Sequence, residues 1–151
     1  MRVAEASVEF ELSVERGKIR EFAQAVGDDN PLFLDPDVAR GAGFPDVLGP
    51  PTFTVTDLWQ VPLGERLERL GLELDPARML HAEQEYMFTR LPIAGELLRG
   101  SIRICDDVEK MGGRGGKMRF VTLETRYVDT EGDEVLIAYY TLVETAKDPG
   151  A

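Results

Sequence analysis

From Met79 to the end of the chain the hydrophobic pattern keeps a period of two, through four successive stretches. Leu80, Ala82, Tyr86 and Phe88 alternate with His81, Glu83 and Glu85 in the first. Leu98, Ile102, Ile104 and Val108 mark the second, and Val121, Leu123 and Tyr127 the third. Successive side chains of a strand point to opposite faces, so alternation predicts strands with one buried face. The fourth stretch, Val135 to Val143, is almost continuously apolar and predicts a central strand covered on both faces. Gly112 to Gly116, four glycines around Arg114, reads as a hairpin loop, and Thr130-Glu131-Gly132-Asp133 as a turn. Four long strands in a row predict a meander, whose apolar face another part of the chain must cover.

That cover has to come from the first half. Val8, Phe10 and Leu12 alternate with Glu9 and Glu11, giving one further half-buried strand. Ser13 is placed to cap the helix that follows, in which Ile19, Phe22, Ala23 and Val26 recur on one face. Gly27 suits the left-handed residue that ends it. Asp35-Pro36-Asp37 opens a short helical turn, with Pro36 where a missing N–H costs nothing, and Gly41 and Gly43 close it. Gly49-Pro50-Pro51 leads into a helix expected from about Thr52 to Val61. Phe53, Val55, Leu58, Trp59 and Val61 spread around most of it, which predicts a buried helix with Trp59 inside. Pro62 interrupts it, and Leu63, Leu67 and Leu70 continue as a shorter amphipathic piece that Gly71 stops. The sum is an α+β domain over residues 1–146, with 147–151 as a frayed tail; one helix wrapped by one antiparallel sheet satisfies the pattern, which by itself leaves other α+β sheets open.

The formal charge of −11 argues against nucleic acid and anionic membrane surfaces as partners. It also removes any whole-surface attraction for an anionic small molecule or an acidic protein, so such a ligand needs a local basic patch. Arg114 and Lys117 in the glycine loop are the candidates. Cys105 is the single cysteine, so no internal disulfide forms, which fits a reducing compartment. The N-terminus shows no basic segment followed by an apolar one, and a cytoplasmic protein is expected.

The nine residues Gly27-Asp28-Asp29-Asn30-Pro31-Leu32-Phe33-Leu34-Asp35 carry the most chemistry. Asp28 and Asn30 are turn formers whose side chains bond nearby N–H groups, and Pro31 rigidifies the turn. Read locally, this is either a solvated capping turn or a rigid loop presenting two carboxylates and an amide.

The same stretch resembles the hydratase motif of the MaoC-like, (R)-specific enoyl-thioester hydratase/dehydratase family, Gly-Asp-x-Asn-Pro-x-His-x-Asp. The resemblance implies a hot dog fold and an acyl-CoA or acyl-carrier-protein thioester as ligand, with no separate cofactor. In the family the Asp and His share the water added across an enoyl double bond. A backbone N–H at the start of the buried helix holds the developing enolate. Here Asp28 matches, but Phe33 occupies the His position and can neither give nor take a proton. In an ungapped alignment Pro51 occupies the glycine that donates the N–H, and proline has none. Thr52 offers a donor displaced by one residue. The Gly49-Pro50-Pro51-Thr52-Phe53 lead-in and the later Leu80-His81-Ala82-Glu83-Gln84 run are similar to the FAS1-like dehydratase N-terminal domain. They are similar, too, to the non-catalytic subunits of mycobacterial (3R)-hydroxyacyl-carrier-protein dehydratases.

The resemblance therefore implies a substrate-binding subunit, paired as a homodimer or with a catalytic MaoC-like hot dog partner. Asn30, Phe33, Gly49, Pro51, Thr52 and Arg114 would touch the ligand, and Asp28 is the remnant of the catalytic pair. Alternatives are an active hydratase using Asp28 with a displaced base, a hot dog acyl-CoA thioesterase, and a simple acyl-CoA-binding dimer. His81, the only histidine, is the one residue available as a displaced base. A lone strand histidine is otherwise a structural hydrogen-bonder. One His and one Cys at distant positions lack metal-ligand spacing. Cys105 has no neighbouring base in sequence to make it a nucleophile.

Overall fold

The computed structural model describes residues 6–112 and 116–146. The expected tail at 147–151 and Arg114 lie outside the described residues. Strand β1 (Ser7–Ser13) is followed by α1 (Arg16–Val26), α2 (Pro31–Leu34), α3 (Pro36–Gly41), a 3-10 segment (Phe53–Trp59) and α4 (Leu63–Arg69). A short 3-10 turn (Pro76–Arg78) leads into β2 (Met79–Phe88), β3 (Leu97–Met111), β4 (Lys117–Val128) and β5 (Glu134–Glu144). The five strands form one antiparallel sheet in the order β1-β3-β4-β5-β2. Only β3, β4 and β5 form the expected meander. β2 crosses over to pair with β5 and becomes an edge.

One face of the sheet packs against the helical half. Leu12, Leu98, Tyr127, Leu136 and Ala138 meet Ile19, Ala23, Phe33, Leu48 and Phe53 in one cluster. Val8, Ile102, Val121, Leu123 and Leu142 meet Val61, Leu67 and Leu70 in a second, with Phe10 bordering both. The ring of Phe10 lies over Gly100, where an added Cβ would overlap it, and sits edge-on to Tyr127. The apolar run of β5 is buried at Val135, Leu136, Ile137, Ala138, Leu142 and Val143, while Tyr139, Tyr140 and Thr141 are half-buried, and only the inner face is covered by the helical half.

Three local expectations are corrected. Ser13 does not cap α1; Glu15 holds that position, without a side-chain hydrogen bond. The stretch from Thr52 to Val61 is not an α-helix but a seven-residue 3-10 segment ending at Trp59. Its buried residues are Phe53, Thr54 and Asp57, while Val55 is exposed and Trp59 is 87% exposed. The sheet covers one side of this segment only, so being apolar all round does not make it buried. Finally, β2 carries a bulge between His81 and Glu83. The extra residue, Ala82, reverses the alternation, so His81 shares a face with Gln84 and Tyr86 rather than with Glu83 and Glu85.

Candidate functional site

The turn after α1 is built from its own polar side chains. Gly27 has φ 72° and closes the helix, with the Asp28 N–H reaching back to the Ala23 carbonyl at 2.8 Å. The Asp28 carboxylate accepts the N–H of Asn30 at 3.1 Å, and Asn30 accepts that of Leu32 at 3.0 Å. Asp35 caps α3 by accepting from Asp37 at 2.8 Å and Val38 at 3.3 Å. All three polar residues of the motif are engaged in holding the turn and the two short helices after it.

Phe33 points away from that polar surface. It is 6% exposed and packs in the first core cluster with Phe53, Val47 and Leu48. The Leu48 N–H donates to the Leu32 carbonyl at 3.0 Å, which ties the turn to the lead-in before the prolines. Gly49 is buried with its Cα side against the Phe53 ring, leaving 3.2–3.4 Å for a Cβ. Pro51 and Thr52 are exposed. The Gly49 N–H is spent on the Pro92 carbonyl at 2.8 Å, Pro50 and Pro51 have none, and the Thr52 N–H makes no hydrogen bond among the described residues. The Leu32–Leu48 hydrogen bond and the shared cluster of Phe33, Leu48 and Phe53 set the turn beside the lead-in.

His81 is elsewhere. Its ring stacks on Tyr140 at 4.5 Å between centroids, and Nε2 lies 2.9 Å from the Glu83 carbonyl oxygen. These contacts belong to the edge of the sheet and none is with Asp28. Cys105 is exposed, and burial of part of its surroundings, aided by Glu124, pushes its thiol up, away from thiolate chemistry. Among the described residues no group of three or more His, Cys, Asp or Glu is placed to hold a metal.

A groove of about 310 Å³ runs between α1 and the 3-10 segment, and none of Asp28, Asn30, Phe33, Gly49, Pro51 or Thr52 lines it. Phe22, Ala25 and the exposed indole of Trp59 give it apolar walls, and Lys18, Glu15 and Glu21 a charged rim. Phe22 is also edge-on to Phe53 at 5.8 Å, so the groove wall is braced by the core.

Sequence reasoning missed the most polar buried group in the molecule. Asp57 and Arg66 form an ion pair at 2.7 Å with side chains only 5% and 8% exposed. Arg66 Nε donates to the Val61 carbonyl at 2.7 Å, and the Tyr127 hydroxyl donates to the other Asp57 oxygen and, at 3.3 Å, to the Thr54 carbonyl. The signal was available: an aspartate inside an apolar run, with an arginine beyond the Pro62 break. The cluster joins the 3-10 segment, α4 and the sheet, and it involves neither Asp28 nor the turn.

Burial and the Asp57 charge push the Tyr86 phenol up to about 12, and the same two causes hold Tyr127 well above its usual range. The folded phenols therefore resist ionisation. Their stabilising contribution is complete below the unfolded tyrosine value of about 10 and is lost as pH rises towards the folded values. Urea midpoints should fall steeply between about pH 10 and 12, with phenolate absorbance appearing only as the chain unfolds. Full tyrosine ionisation in the folded state at about pH 10 would contradict this.

Comparison with known proteins places this geometry. A family model described as the FAS1-like dehydratase domain region matches residues 3–138. A UPF0336 protein of Saccharopolyspora erythraea is 40% identical over 138 residues, covering 90% of this chain and 85% of that protein. One of Clavibacter michiganensis is 38% identical over 135 residues, covering 89% and 87%. Among solved structures, the truncated HadBC (3R-hydroxyacyl-ACP dehydratase) complex of Mycobacterium tuberculosis superposes with a TM-score of 0.75 at 23% identity, over 95% of this chain and 99% of that one. A MaoC-like dehydratase superposes at 0.82 and 23%, over 97% of this chain and 44% of that one. At such identities the likeness is one of fold, and that fold is the hot dog.

Proposed function

Because the chain belongs to the family of the FAS1-like dehydratase domain region, we propose that it binds an acyl thioester as the non-catalytic half of a hydratase/dehydratase and depends on a second hot dog subunit for the chemistry. The observation that carries this reading is Phe33, a buried phenyl ring where the family's motif has its histidine. A hydratase of this kind needs a proton donor and acceptor beside the aspartate. Here Asp28 has no titratable partner at position 33, and its carboxylate accepts the Asn30 N–H.

The groove between α1 and the 3-10 segment suits the acyl chain. Its volume of about 310 Å³ falls at the lower end of the usual range for small-molecule sites, and its walls are mainly apolar with a polar rim. The thioester end would lie towards Asn30, Gly49, Pro51 and Thr52, with the free Thr52 N–H as a hydrogen-bond donor to its oxygen. The structurally similar HadBC is a dehydratase complex, which agrees with assembly from two hot dog chains.

Trp59 is the only tryptophan and stands on the groove wall, so its emission reports occupancy. Titration with a medium-chain acyl-CoA should shift that emission saturably to the blue, while crotonyl-CoA is not measurably hydrated by the chain alone. Adding the hot dog protein that co-purifies from the native cell should bring hydration on. Steady hydration by the isolated chain, or no saturable acyl-CoA binding by fluorescence or calorimetry, would overturn the proposal.

A further inference from the structure

We infer that the free edge of β2 carries a charge code that rejects a second copy of this chain and selects a hot dog partner with a basic edge strand. The inference rests on the reading of the chain as one half of a hot dog pair, and it goes further by saying which half it can join. β2 is a ten-residue edge strand, with one row of its backbone N–H and C=O groups unpaired in the sheet. It also exposes Leu80 by 60%, Met87 by 52% and Phe88 by 42%. The other edge, β1, is shorter at seven residues, and its Val8 and Leu12 are buried. β2 is therefore the edge with apolar surface left to cover.

The pairing register decides what stands on its outer face. Leu80 pairs with Val143, Glu83 with Thr141, Glu85 with Tyr139 and Met87 with Ile137. The outer face of the edge thus reads apolar, acidic, acidic, apolar. Glu83 and Glu85 have no salt bridge among the described residues, and Asp106 adds a further carboxylate to the same face. Two copies of the chain joining edge to edge would meet about a two-fold axis. An axis at Gln84 sets Glu83 against Glu85 of the other copy, twice over. An axis at Glu83 or at Glu85 sets that residue against itself. Each of these three registers brings like charges to about 5 Å, which opposes association. A partner presenting Lys or Arg at the facing positions, flanked by apolar residues for Leu80 and Met87, turns the same contacts into attraction.

The test is a charge swap. At micromolar concentration and low salt, the wild-type chain should sediment as a monomer. So should the double variant Glu83→Lys, Glu85→Lys, because its lysines repel in turn. An equimolar mixture of the two should form a dimer with a dissociation constant at least about tenfold below that of either alone, and salt should weaken it. A control pair of reversals at the exposed Glu68 and Glu131 changes the net charge by the same amount and should not dimerise with wild type. A tight wild-type homodimer, a mixture no tighter than its components, or an equally tight mixture with the control would overturn the inference. None of these outcomes touches acyl-CoA binding, which the Trp59 titration reads separately.

Discussion

Replacing Asp57 by alanine should cost the fold about 3–5 kcal/mol, the usual penalty for stranding one member of a buried ion pair. Arg66 would keep its Val61 carbonyl but lose its carboxylate, and its side chain is only 8% exposed. The Tyr127 hydroxyl would be left with the Thr54 carbonyl alone. Small domains have only about 5–15 kcal/mol in total, so the variant should unfold at a much lower urea midpoint. The double variant Asp57→Leu, Arg66→Met removes both charges together. It should recover half or more of the loss, because a well-packed apolar pair avoids the desolvation that the ion pair suffers. It still forfeits the bond to Val61, worth about 1 kcal/mol. A single-variant loss below about 1 kcal/mol would mean that water reaches Arg66, as in an exposed pair. The cluster anchors the 3-10 segment to α4 and to β4, so loosening it should also broaden the acyl-CoA response of Trp59 at the end of that segment.

How far the fold was legible in the sequence follows the range of each interaction. The strands β3 to β5 and the helix α1 announce themselves through period and punctuation, since those signals are local. Gly27 is correct in detail because a left-handed helix end has few alternatives to glycine. The place of β2 was not legible. Its partner β5 is about fifty residues away in sequence, and alternation says which face a residue takes but not which strand it joins. The bulge at Ala82 was equally hidden, because one extra residue leaves the composition of a strand unchanged while it turns His81 to the other face.

The stretch from Thr52 to Val61 failed for a different reason. Its apolar residues read as core, and a hydrophobic pattern gives Asp57 among them no weight. The 3-10 geometry, with side chains eclipsed at every third position, turns Thr54 and Asp57 inward and Trp59 out. The turn around Asp28 was read both as a capping device and as a site remnant. The hydrogen bonds of Asp28, Asn30 and Asp35 account for the first of these. The departure that bears on function, a phenylalanine at position 33, is a matter of residue identity and was visible at once; its burial was not.

Phe33→His should fail to make this chain a hydratase, and it should make its stability depend on pH. The ring at position 33 is 6% exposed and lies among Phe53, Val47 and Leu48. An imidazole there leaves part of the space unfilled and buries two polar nitrogens, for a loss of about 2–4 kcal/mol. Burial disfavours the imidazolium, so its folded pKa falls below the unfolded value of about 6.5. The unfolded chain then binds more protons below that value. Stability is intact at higher pH and falls by about 1.4 kcal/mol for each unit below about 6.5, until the buried ring protonates. Urea midpoints of variant and wild type at mildly alkaline and mildly acidic pH measure this directly. Activity should stay at background in the single variant, because Pro51 still withholds the N–H that steadies the enolate. A missing acid/base is worth about 10²–10⁴ in rate and a missing oxyanion donor about 10²–10³, and the two need not multiply. Restoring that N–H with Pro51→Gly in the same chain should add little to crotonyl-CoA hydration while the imidazole stays buried among Phe53, Val47 and Leu48, away from the Asp28 carboxylate. If the single variant turned over at an ordinary enzymatic rate of about 10 s⁻¹, the lead-in would already be competent and Thr52 would be its donor. If its stability showed no added pH dependence, the imidazole would be in water, and the turn would open into a site at position 33.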